Sequence, residues 1–266
     1  MLAVTLIASM ACFAQGKLTT GFPADGLKKG DTFDHMGVKY KITVDPVEDQ
    51  NVYFVEAIGF ETSLLNDFSL MDEEPLENDL TIFHVKKPGQ GETGNSFVVL
   101  SVAANAFQTV DSELAVKINR LIIEYSEDDY ANNGIIALPT TGSTFAGLTA
   151  LSEVKSLTPG AKVAAIPATS FATSVFNNAS LIVPEVSMGK YAKAQGWKNF
   201  VSIYNTDGEL FGDINGNGSV AGNDVTALKR VVAGTRAETD ACDVNSNGSV
   251  AGNDVTALKR VVAGTY

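Results

Sequence analysis

Residues 217–235 read NGSVAGNDVTALKRVVAGT, and residues 247–265 read the same, letter for letter. The match reaches further back through Asp213 and Asp243, and through Asn215 and Asn245. A duplication this complete is an internal repeat, in which each copy is one supersecondary unit that leans on its neighbour. Whatever precedes it, the chain must end in two equivalent units.

Each copy opens with a polar loop. Oxygen-bearing side chains stand at loop positions 1, 3 and 5: Asp213, Asn215 and Asn217, then Asp243, Asn245 and Asn247. Gly218 and Gly248 follow at position 6, where such a loop turns sharply with positive φ. Ser219 and Ser249 at position 7 can offer a backbone carbonyl, and Asp224 and Asp254 close the loop at position 12. Hard oxygens at alternating positions with a terminal carboxylate form the ligand pattern of a calcium loop. Ala221 and Ala251 at position 9 leave one vertex to water. The alternative is a polar turn without metal, and two matching copies argue against it.

Each loop runs into DVTALKRVVAG. Val225, Leu228, Val231 and Val232 recur at helical spacing, as do Val255, Leu258, Val261 and Val262, with Gly234 and Gly264 as C-terminal stops. The stretches before the loops, YNTDGELFG and TRAETDAC, lack an amphipathic period. Each unit is therefore predicted to be a loop followed by a helix, and the two must pack together to bury both apolar faces.

Paired loop–helix units of this kind, ending in LKR and a short apolar run, resemble type I dockerin domains. The resemblance covers roughly residues 208–266. It implies calcium-dependent folding, two Ca2+ ions, and binding to a cohesin-type protein module. It places partner recognition at Gly222, Asn223, Lys229 and Arg230, and again at Gly252, Asn253, Lys259 and Arg260. The Gly-Asn pair departs from the hydroxyl or apolar pair common in the family. The Lys-Arg pairs have a second reading, as solvated cations complementing a helix C-terminus.

The region before the repeat reads as mainly β. VKYKITV alternates, with Val38, Tyr40, Ile42 and Val44 on one face. NVYFVEAIGF, LTIFHVKK, SFVVLSV and NRLIIEY are rich in β-branched and aromatic residues. In SMGKYAKAQG, Ser187 is expected to cap a short helix that Gly196 ends, with Trp197 following. FDHMGVKYKIT, VLSVAANAF, STFAGLTALSEVKSL and ASLIVPEVSMGKYAKAQGWKNFVSI resemble segments of BspA-type leucine-rich-repeat surface proteins. That resemblance implies a short, irregular, capped solenoid used for binding or display. A non-repetitive β-sandwich of similar strand content is the alternative.

The N-terminus, MLAVTLIASMACFAQGK, carries a short apolar run ending in small residues, as a secretory signal peptide does. The expected organisation is a leader over 1–14, a β-rich leucine-rich-repeat-like body over 15–205, and a small all-α dockerin-like domain over 206–266. A lipid anchor at Cys12 is the alternative to free secretion. After cleavage only Cys242 remains, so no internal disulfide is available. The net charge of −12 disfavours nucleic acid and anionic membrane surfaces as partners.

No catalytic motif stands out in the body. The carboxylate run MDEEPLEND reads as a solvated loop, and His35 and His84 have no neighbours at metal-ligand spacing. The expected function is an exported, non-catalytic binding or display protein docked through its tail, as in a polysaccharide-degrading complex. Two alternatives stay open: a dockerin-bearing carbohydrate-active enzyme, and a surface adhesin whose calcium module is only a structural cap.

Overall fold

The computed structural model describes residues 28–35, 38–45, 52–60, 79–82, 96–123, 125 and 135–266. The expected leader with Cys12, most of the acidic run from Met71, and His84 lie outside them.

Strands β1 (Thr32–His35) and β2 (Val38–Ile42) pair antiparallel, with Phe33 opposite Tyr40 and their rings 5.5 Å apart. Val38, Tyr40 and Ile42 are buried as the alternation predicts. Val44 is not: it is 48% exposed. The β2 ladder ends at Ile42, so beyond it the alternation has no sheet to face. β3 (Val52–Phe60) pairs antiparallel with β2 and parallel with β5 (Ser96–Val102), and Ala137 adds an isolated parallel bridge to Ser101.

The second sheet is parallel throughout. It comprises β4 (Asp79–Ile82), β6 (Arg120–Ile123), β7 (Glu153–Ser156), β8 (Ser180–Val183) and β9 (Ser202–Asn205), in chain order. The register aligns Leu121, Val154, Leu181 and Ile203, all buried. Parallel strands require crossover connections, and here these stack as well. The Phe107 N–H donates to Thr144 O (2.8 Å) and the Phe145 N–H to Ser170 O (2.7 Å). Phe60, Phe107, Phe145 and Phe171 consequently form a column with successive ring centroids 4.9, 5.8 and 5.1 Å apart. Each such pair contributes roughly 0.5–1.5 kcal/mol beyond its buried area.

Strand content agrees with a mainly β body. The sheet order alone does not identify a leucine-rich repeat.

After one helix between β5 and β6 in the chain, α1 (Ser112–Lys117), the body closes through two short helices, α2 (Thr173–Asn178) and α3 (Met188–Tyr191). Ser187 occupies the position before α3, but its side chain makes no capping bond. It already belongs to the 3-10 turn Glu185–Ser187, so the backbone is helical before α3 begins and no N-cap geometry is left. α3 also stops short of Gly196, which takes φ 81° and turns the chain so that Trp197 enters the core. The indole N–H donates to Ala164 O at 3.0 Å. Beside it, the Tyr191 hydroxyl lies 2.7 Å from Ser156 Oγ, and burial pushes the Tyr191 pKa up to about 12.

The chain leaves β9 through buried Asn205, whose Oδ1 accepts from the Asp207 and Glu209 N–H groups at 3.0 and 2.7 Å. Helices α4 (Gly222–Val232) and α5 (Gly252–Val262) then pack on each other, with Leu228 and Leu258 fully buried between them.

Candidate calcium loops and the exposed faces behind them

The two loops fold alike because each carboxylate organises its own backbone. In the first loop, Asp213 Oδ1 accepts from the Gly216 and Asn217 N–H groups at 2.8 and 3.1 Å, and Oδ2 accepts from the Gly218 N–H at 2.6 Å. In the second, Asp243 accepts from the Asn247 and Gly248 N–H groups at 3.0 and 2.6 Å. Gly218 and Gly248 take φ 81° and 86°, in the left-handed region where a Cβ is disfavoured. Ser219 and Ser249 each direct N–H and Oγ to the preceding Asn217 or Asn247 Oδ1.

Asp224 and Asp254 are completely buried. A buried carboxylate is costly unless it is satisfied, and each serves two ends. Oδ1 accepts the backbone N–H of Asn215 or Asn245 (3.1 and 3.0 Å) and contacts the side-chain amide of the same residue. Oδ2 accepts the N–H of Ala221 or Ala251 at 2.9 Å. Alanine has no side-chain acceptor to return, so only half of a capping box is made. One carboxylate thus closes the loop and starts the helix.

The donor set fits a hard divalent cation. Each loop gathers two carboxylates, two amide side chains and a serine carbonyl position, and none of these ligand positions carries sulfur or imidazole. Among the described residues, no cluster of three or more acidic, histidine or cysteine side chains occurs. With only two carboxylates per loop, amide and carbonyl oxygens must complete the shell. Asp213, Asn215, Asn217, Ser219 and Asp224 would hold one ion, and Asp243, Asn245, Asn247, Ser249 and Asp254 the other.

The predicted partner-binding residues lie on the open side of the helices. Gly222, Asn223, Lys229, Arg230 and their counterparts Gly252, Asn253, Lys259 and Arg260 are all exposed. Val232 and Val262 join them at 42% and 40% exposure, contrary to their assignment to the apolar face. The buried stripe runs through Val225, Leu228 and Val231, and Val232 falls a full residue's rotation past it.

Sequence reading missed two residues here. The Arg236 guanidinium donates to Ile214 O at 3.0 Å, and the Tyr266 hydroxyl donates to Val244 O at 2.7 Å. They are equivalent positions, the first after the identical stretch, and each latches its own loop with a different side chain. The break in identity just after Thr235 and Thr265, where Arg236 answers to Tyr266, was the available signal.

Among the described residues, no helix is long and apolar enough to cross a membrane. Comparison with curated proteins and with solved structures returned no match. The model of the dockerin type I domain matches residues 211–263, so this part of the tail is similar to a family whose members bind calcium and dock onto cohesins.

Proposed function

We propose that this protein is an exported, non-catalytic binding or display protein, secreted or held at the cell surface. In this reading residues 206–266 bind two calcium ions and dock onto a cohesin-type module, while residues 15–205 form a short leucine-rich-repeat-like body. The observation that carries it is the division of labour in the tail. Asp224 and Asp254 are buried where each loop meets its helix, while two cationic and apolar strips of identical sequence are exposed. The stacked Phe107, Phe145 and Phe171 turns support the repeat reading of the body. Trp197 supports the non-catalytic reading: the chain's single tryptophan is 1% exposed, so it serves the core and offers no stacking platform to a sugar.

Capture of the full chain on a panel of cohesin modules, with calcium and with chelator, tests this reading. Calcium-dependent capture is the expected result; no capture by any module in calcium overturns the docking role. The identical strips add a finer expectation, that either can engage the partner. Losing Lys229 and Arg230, or Lys259 and Arg260, should then cost about twofold in affinity. Losing all four should cost several kcal/mol. A glycan hydrolysis screen with turnover abolished by one Asp or Glu substitution would overturn the non-catalytic assignment.

A further inference from the structure

The two loops match in sequence at every ligand position, yet their surroundings differ. The body holds the second loop through contacts to its backbone. Gly189 in α3 meets the second loop so closely that an added Cβ would overlap Val244 O and Ser246 Oγ. The Lys193 ammonium donates to Asn245 O at 3.3 Å and stands over the Tyr266 ring, 4.9 Å from its centroid. Tyr266 in turn bonds Val244 O, so body and module both grip the backbone between Asp243 and Ser246. On the other side, Glu185 and Val186 of the body face Asp243, Ser246 and Ser249 across a cleft. The carbonyl of Ile214, equivalent to that of Val244, is instead held by Arg236 from within the module.

We infer that the second loop is the seam between body and module, so that calcium in this loop, rather than in the first, fastens the two together. The inference rests on the calcium reading above but not on the cohesin reading. A cation held by Asp243, Asn245 and Asp254 fixes the same backbone that Gly189 and Lys193 pack upon. Linkage then requires that a docked body tighten the second site by the factor with which calcium tightens docking. In the first loop the equivalent carbonyl is held by Arg236 of the module itself, so identical ligand sets acquire different affinities.

The test uses the full chain and calcium calorimetry. Gly189→Ala, which wedges the seam, should weaken one of two binding steps by about tenfold, the scale of overpacking a close contact. Lys193→Arg keeps the positive charge beside Asp243 and Asp254 but disturbs the bond to Asn245 O, and should weaken the same step by about threefold. Assignment comes from adding each change to Asp224→Asn, which leaves the second loop as the tight site, and to Asp254→Asn, which leaves the first. The effect should appear in the Asp224→Asn background and vanish in the other. Small-angle scattering should show a longer particle for Asp254→Asn than for Asp224→Asn. Equal weakening of both steps, or two steps indifferent to Gly189 and Lys193, would overturn the seam while leaving calcium binding intact. A wild-type chain that binds no calcium would overturn the calcium reading and the seam together.

Discussion

Body and tail solve the stability problem in opposite ways. The body buries apolar side chains in register, Leu121 over Val154 over Leu181, and stacks phenylalanines beside them. Its connections are long-range, and its described core is built from apolar side chains. The tail has two short helices meeting at Leu228 and Leu258, and it buries Asp224 and Asp254 in the same space. A core so small, with two carboxylates inside it, is expected to stand only when a cation completes the polar shell. A domain held by packing tolerates changes of solution; one held by a ligand becomes a switch.

The sharpest test of that contrast is calcium removal. With chelator, the tail should lose the helical circular dichroism of Gly222–Val232 and Gly252–Val262, while near-ultraviolet signal from buried Trp197 persists. Loss of both signals together would show one cooperative unit instead of two regimes.

Next in size is the aromatic column. Phe145→Ala should destabilise the body by about 3–5 kcal/mol, the range for emptying a large aromatic site. Calcium stoichiometry should stay unchanged. A stoichiometry that falls along with stability would tie the tail's fold to the body's core.

Asp224→Ala and Asp254→Ala each strike one loop and should each remove one ion from the calorimetric count. Full stoichiometry in either variant would take that carboxylate out of the site.

The smallest effect concerns Tyr191. Its folded pKa is raised by burial, so it contributes stability below the unfolded value and loses it as pH climbs toward about 12. Tyr191→Phe should flatten part of that alkaline loss, at a cost near neutrality of about 1–2 kcal/mol for the unpaired Ser156. An unchanged alkaline profile in the variant would assign the loss to other groups.

Much of the tail could be read from the letters. Ligand spacing, Gly218 and Gly248, and the Val225/Leu228/Val231 period are local properties, and local properties survive without a fold. The errors were local rules overridden by neighbours. Val44 alternates correctly but has run past its ladder. Ser187 has a cap residue's chemistry but stands where a 3-10 turn has already begun the helix. Val232 follows the apolar run yet points away from the partner helix. The body was harder, because strands were visible as β-branched runs while their partners were not. That Phe107 stacks on Phe145 depends on crossovers of unequal length bringing distant turns together.

The sequence established a duplicated pair of hard-oxygen loops, each followed by a helix, because ligand spacing and helical period are encoded over a dozen residues or so. It also established that the two copies are chemically interchangeable. Folding removed that equivalence. Gly189, Lys193 and Tyr266 converge on the backbone of Val244 and Asn245, while the equivalent carbonyl of Ile214 is held by Arg236. A repeat can be symmetric along the chain, but a single body can lie against only one side of it.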